Sequence, residues 1–312
     1  VKIAFATHIL QGYPASFSDA SSPETRRNLL RWLRRHRFDG VEVGAWWFDF
    51  YHAPLADVVR LRDEIGEQGL TLVAFNCLRK NVTHPAVAEA NRRDLRRTVE
   101  AAAAAGVPFV SISLSVPATL LGYPVDFVRG LPVSPGASKT ATEGELARAA
   151  GFLGELAREA ASAGVQLALE LHNCSLADTS RSLLRLLELA GQPNLSANPD
   201  LGNLYWAYDE PEEAWQDAVV RLAKRVKLWH VKNVLRIALP EEHRTLFVHA
   251  SLDAGDIDYR WALARLVEAG FDGWISLEGA GPGDWLAFAA RGKAYLDDLL
   301  ADASEDIGLA VQ

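Results

Sequence analysis

The chain has 312 residues, 49% hydrophobic and 23% charged, the proportions of an ordinary soluble globular protein with material for a large core. A formal charge of −8 argues against nucleic acid as a partner, since that role leaves a basic face. Apolar runs fall short of the roughly 20 residues that cross a bilayer, and the opening VKIAFATHIL lacks the parts of a secretory signal, so no membrane partner is expected and the cytoplasm is the expected location.

Periodicity predicts strand-then-helix repeats from end to end. KIAFA (2–6) reads as the first strand, and a helix follows over about 24–37, with Ser22 as N-cap and Pro23 at the first helical position. GVEVGAW (40–46), a helix over about 55–68, LTLVAFN (70–76), an Ala- and Arg-rich helix over about 85–105 and FVSISL (109–114) come next. The Pro- and Gly-rich stretch over 115–142 is long for a connection, which suits an active-site cover better than a domain linker. A helix over about 143–163 is stopped by Gly164 and followed by QLALEL, LSANPD, VKLWH and WISLE, with helices near 182–190, 211–225, 259–269 and 284–300. An extended segment, VLRIALPEEHRTLFVHASLDAGDID, separates the seventh and eighth strands, and 303–312 reads as a C-terminal tail. Eight strands alternating with eight helices favour a (β/α)₈ TIM barrel, one domain over 1–312, rather than an open sheet.

Four residues with metal-ligand chemistry close four successive apolar segments: Glu170, Asp200, His230 and Glu278, the first three at 30-residue intervals. That interval is one strand-plus-helix unit, so the four are expected to converge at the strand ends, where barrels keep their active sites. Parity agrees. Gln166, Ala168 and Glu170 share one strand face and Leu167 and Leu169 the other; Ser196 and Asn198 oppose Leu195 and Ala197; Ser276 and Glu278 oppose Ile275 and Leu277. Two Glu, one Asp and one imidazole suit one divalent ion, Mn²⁺, Mg²⁺ or Co²⁺ before Zn²⁺. The two cysteines, Cys77 and Cys174, form no ligand spacing and are expected as free thiols.

At FDGVEVG, LALELHN, NPDLGN, WHVKN and LDAGDIDYRWALARLVEAGFDGWISLEG the chain resembles the xylose isomerase-like TIM barrels, the sugar-phosphate isomerase/epimerase superfamily. The resemblance covers nearly the whole chain and implies the same four ligands for one divalent metal. It also implies that Glu170 and Glu278 form the catalytic pair, one removing a proton beside a carbonyl and the other returning it. One position departs: where ketose epimerases of that superfamily place a substrate-holding histidine, three residues after the strand-six aspartate, this chain has Asn203, which bonds hydroxyls but does not titrate.

Further substrate contacts are expected from position. His172 lies two residues past Glu170, where it either touches substrate or makes a structural hydrogen bond, and Lys232 lies two past His230, where it either reaches substrate or pairs with a ring acid. His8 follows the first strand. Glu42 faces inward from the second as a substrate contact or a structural anchor, and Trp46 and Trp47 follow it, with one of the two expected to wall the pocket. The expected function is a metal-dependent isomerase or epimerase of a small sugar, keto-sugar or related hydroxycarbonyl compound, working through an enediolate. An inosose-type dehydratase on the same metal site is the alternative. An endonuclease IV-like phosphodiesterase, which needs three zinc ions, and a non-catalytic ligand-binding barrel rank lower. The substrate partner is thus a small polyol or sugar, and the resemblance is compatible with a homo-oligomer.

Overall fold

The computed structural model describes residues 1–10, 22–117, 120, 137–206, 211–242, 244–279 and 283–305. Its strands are β1 (Lys2–Ala6), β2 (Gly40–Gly44), β3 (Thr71–Cys77), β4 (Phe109–Ile112), β5 (Gln166–Glu170), β6 (Leu195–Asn198), β7 (Leu228–Val231), β8 (Asn233–Leu239), β9 (Arg244–Ala250) and β10 (Trp274–Leu277). The helices are α1 (Pro23–Arg35), α2 (Leu55–Glu67), α3 (Ala88–Ala105), α4 (Glu143–Ser162), α5 (Ser180–Ala190), α6 (Trp215–Leu222), α7 (Tyr259–Glu268) and α8 (Trp285–Ser304). β1 to β7 and β10 form one eight-stranded parallel sheet in the order β6-β5-β4-β3-β2-β1-β10-β7. A parallel bridge between Ala197 and Val226 brings its two ends together. This is the (β/α)₈ barrel the sequence predicts.

Local chemistry sets the helix starts. The Ser22 hydroxyl accepts from the Thr25 N–H ahead of Pro23, and Thr142 and Glu145 cap α4 reciprocally. Outward-facing strand residues such as Val41, Val43, Leu167 and Leu169 join Leu29, Leu33, Leu153 and Leu156 of the helices in the main core between barrel and helices. Inside the barrel the side chains are layered. Ala4, Ala74, Phe109, Ala168 and Leu228 form a separate apolar plug near the strand starts, with Trp274 packed on it. Toward the strand ends the buried residues turn polar: Glu42, Asn76, Ser111, Glu170, Asn198, His230 and Ser276. The plug excludes water from below, so the polar layer opens only toward the loops.

The structure corrects the sequence reading between the seventh and eighth strands. The extended segment there is an antiparallel hairpin, β8 pairing β9 from Asn233↔Ala250 to Leu239↔Arg244. Alternation gives one face carrying the exposed Leu235, Ile237 and Val248 and an opposite face carrying the buried Phe247. The tail also starts later than expected, because α8 runs on to Ser304. Of the expected cover at 115–142, residues 118–119 and 121–136 lie outside the described residues, as do 306–312 of the tail.

Candidate metal centre

β5 ends on Glu170 and β7 carries His230, while Asp200 and Glu278 stand just past the ends of β6 and β10. One ligand atom from each of the four lies within 4.8 Å of all the others. Oxygens on opposite sides of a shared ion of this class sit about 4.3 Å apart, so a small inward movement completes the shell. The donor set fits such an ion in a second way. Glu170 Oε2 and Asp200 Oδ1 are buried without a hydrogen-bond partner, and the equally buried His230 Nδ1 and Glu278 Oε2 lie 3.1 Å from each other. Buried carboxylate oxygens are rarely left without a partner, and four ligand-type atoms that converge in this way suit a cation. Among the described residues this is the one cluster of metal-ligand type.

The ligands are held from behind. His230 Nε2–H donates to both Glu42 oxygens, at 2.9 and 3.0 Å, which leaves Nδ1 to face the carboxylates. Glu42 also accepts from Asn76 Nδ2 at 2.9 Å. The His230 backbone N–H donates to Asn198 Oδ1 at 2.8 Å, and Asn198 Nδ2 donates to Ser111 across the barrel. Asn203 Nδ2 donates to Glu170, to Asp200 and to the Leu171 carbonyl, at 3.1, 2.9 and 2.9 Å. The Lys232 ammonium lies 2.7 Å from Asp200 Oδ2 and 3.1 Å from Glu278 Oε1, with its charge 4.7 Å from the centre of the Trp206 ring. Tyr259 O–H donates to the Lys232 carbonyl at 2.6 Å and accepts its N–H at 3.1 Å.

Burial and charge pull the two glutamates apart. Burial pushes Glu170 up to about 7 despite the attraction of His230. Burial would raise Glu278 too, but Lys232, His8 and His230 outweigh it and hold that carboxyl well below its ordinary range. Burial likewise raises Asp200 against the pull of Lys232. The two carboxyls are thus shifted in opposite directions by their surroundings.

A sequence model of the xylose isomerase-like TIM barrels matches residues 30–299. The chain belongs to that family. Its fold is that of a xylose isomerase-like TIM barrel protein from Mycobacterium smegmatis, solved in complex with magnesium, at a TM-score of 0.81 and 20% identity over 97% of each chain. It is also that of an L-ribulose 3-epimerase, at a TM-score of 0.73 and 19% identity over 98% of this chain and 96% of the other. Among curated proteins the chain resembles an inosose dehydratase from Lacticaseibacillus casei, 27% identical over 174 residues. That match takes in 50% of this chain and spans only about half of the curated relative, 55% of its length.

Around these four residues this xylose isomerase-like barrel gathers most of the other residues singled out in the sequence. His8 stands on the short 3₁₀ turn after β1, with Nε2 at 3.0 Å from Glu278 Oε1. Gly44 makes room for it, since a Cβ there would lie 2.7 Å from that of His8. His172 Nδ1–H donates to the Asn173 carbonyl at 2.8 Å. Burial, with Arg79 and Lys232 nearby, pushes its pKa down to about 3, so the ring is neutral and Nε2 is an acceptor. Trp46 is 52% exposed, and Trp47 is buried. Glu42, 0% exposed, is turned to His230 and Asn76.

Asn76 and Asn198 join the site without having been assigned to it from sequence. Asn76 and Asn198 share the inward parity of the ligands, so the same alternation points to them. His249 is carried in by the hairpin. Its ring is edge-on to Trp206 at 6.0 Å, its Nδ1 is buried without a partner, and burial lowers its pKa to about 4.

Proposed function

We propose that the chain is a divalent-metal-dependent isomerase or epimerase of small ketoses and related hydroxycarbonyl compounds. The observation that carries the reading is the convergence of four ligand-type atoms within 4.8 Å of one another, two of them glutamate oxygens from strands three steps apart, β5 and β10. Glu170, Asp200, His230 and Glu278 would hold the ion, which when bound supplies Lewis acidity to polarise a carbonyl and stabilise the enediolate beside it.

The chain's own residues do the rest. Glu170, at the end of β5, would remove the proton from the carbon next to the carbonyl, and Glu278 would approach the same carbon from another wall of the pocket. Lys232 and Asn203 keep the carboxylates in place, while His172 Nε2 and His8 would bond substrate hydroxyls.

A dehydratase is the second reading. The likeness to an inosose dehydratase favours it. Incubating the Mn²⁺-loaded protein with ketoses in deuterium oxide tests both. Deuterium at carbon with no loss of water supports the first reading, an unsaturated product supports the second, and unaltered turnover in Glu170→Gln and Glu278→Gln refutes the shared chemistry.

A further inference from the structure

The hairpin that rises past β7 has two unlike faces. β8 starts at Asn233, just beyond His230 and Lys232, and its second residue, Val234, pairs with His249 of β9. Residues paired across antiparallel strands share a face. On this one Val234, Phe247 and Thr245 are buried, whereas the alternate residues Leu235, Ile237 and Val248 are exposed. His249 is therefore on the face that packs against the barrel mouth, one rung from the hairpin's root.

There it stands at the edge of the candidate centre. Its ring is edge-on to Trp206 at 6.0 Å, and the same Trp206 ring lies 4.7 Å from the Lys232 ammonium that bridges Asp200 and Glu278. These two distances put the His249 ring no more than about 11 Å from that ammonium, and the charges of Lys232 and Glu278 both bear on it. Burial keeps the ring neutral, and Nδ1 is buried without a hydrogen-bond partner. Buried polar atoms are rarely left so. A share in the metal does not account for this one, since His249 is outside the cluster of four ligand-type residues.

The chemistry of the missing partner follows from the ring. In a neutral imidazole Nδ1 is a donor in one tautomer and an acceptor in the other. A hydroxyl answers either, whereas a carboxylate answers only the donor and an ammonium only the acceptor. The carbonyl and the carbon beside it would already be attended by Glu170, Glu278 and the ion, so His249, farther out along the hairpin, faces what lies beyond them.

We infer that His249 is a specificity-determining residue: its Nδ1 bonds a hydroxyl on the carbons beyond those held at the metal centre, and so selects a polyhydroxylated chain of sugar length. A site built to bond a hydroxyl rejects the analogue that lacks it, because its own polar atom is then buried unpaired. The inference rests on the isomerase or dehydratase reading of the metal centre and names a residue that sets its substrate preference.

The test uses D-fructose with its 5-deoxy and 6-deoxy analogues, which each lack one distal hydroxyl, and 1-deoxy-D-fructose as the proximal control. Isothermal calorimetry on the Mn²⁺-loaded protein should show D-fructose binding on the order of 10-fold tighter than one of the two distal deoxy sugars. His249→Phe keeps a ring against Trp206 and deletes both nitrogens. It should abolish that preference, leave the ratio of D-fructose to 1-deoxy-D-fructose unchanged, and bind Mn²⁺ as wild type does. His249→Asn, with an amide near the place of Nδ1, should restore part of the preference. Equal affinity of wild type for D-fructose and both distal deoxy sugars overturns the inference, as does a preference that survives His249→Phe. Weakening of all four sugars alike in His249→Phe would mark a purely structural ring and overturns it too. Deuterium exchange into D-fructose reports on the parent reading separately. Exchange with no distal preference sinks the role of His249 alone, whereas no exchange and no binding of any of the four sugars sinks both.

Discussion

The Nε2 of His230 stands almost equidistant from the two oxygens of Glu42, at 2.9 and 3.0 Å, with both residues fully buried. The carboxylate fixes the ring's tautomer and orientation and makes Nδ1 a better donor. Glu42→Gln offers an amide in place of one of these oxygens and removes the charge. Mn²⁺ affinity, measured by competition with a fluorescent chelator, should fall about 10- to 100-fold with the circular dichroism spectrum unchanged. Wild-type affinity would mean that Glu42 does not act through His230.

Asn203 shares one amide nitrogen among Glu170, Asp200 and the Leu171 carbonyl. Asn203→Ala takes a donor from two buried carboxylates and should cost about 1–3 kcal/mol in urea unfolding of the metal-free protein. Saturating Mn²⁺ should narrow the deficit, because the ion takes over the same oxygens. An equal loss with and without metal would make Asn203 an ordinary loop anchor.

Much of this centre was legible in the sequence because a barrel strand has period two. Once Leu167 and Leu169 are assigned to the helix-facing side, Glu170 must point inward, and the same rule places His230 and Ser276 in register on adjacent strands. What period two does not report is the partner across the barrel. Glu42 lies 188 residues from His230, and only closure of the sheet brings them together, so a substrate contact and an anchor were equally consistent with its position. The hairpin escaped for a different reason. Leu235, Ile237 and Val248 form its exposed apolar face, so the polar-out alternation that marks a surface strand is absent.

Lys232 sits between Asp200 and Glu278 with 2% of its surface exposed. Their charges outweigh its burial and hold its pKa above the ordinary lysine range. Lys232→Met keeps the stem that packs on Gly202 and deletes the charge. Breaking a buried pair from one side typically costs about 3–5 kcal/mol. The melting temperature should therefore drop sharply in EDTA and recover largely in Mn²⁺. A variant as stable as wild type in EDTA would show that the ammonium contributes nothing to the fold.

Asp178, in the loop before α5, provides a pH-dependent test away from the metal centre. Its Oδ2 accepts the Ser138 N–H at 3.0 Å, while Oδ1 is buried without a partner. Burial pushes its pKa up to about 6, the Ser138 bonds oppose this, and the carboxylate of Glu212, itself 3.0 Å from Lys139, adds to it. The native state thus prefers the protonated form, whereas the unfolded chain ionises near pH 3.9. The favourable contribution is fully present below about pH 4 and is lost as pH rises through about 6, where the folded protein must hold an ionised carboxylate in that position. Asp178→Asn keeps an acceptor for Ser138 and never ionises. At pH 8 it should be more stable than wild type by about 1–3 kcal/mol, and the advantage should vanish near pH 4. Urea unfolding of both proteins from pH 4 to 8 measures the difference, and a gap independent of pH would show that Asp178 does not titrate on folding.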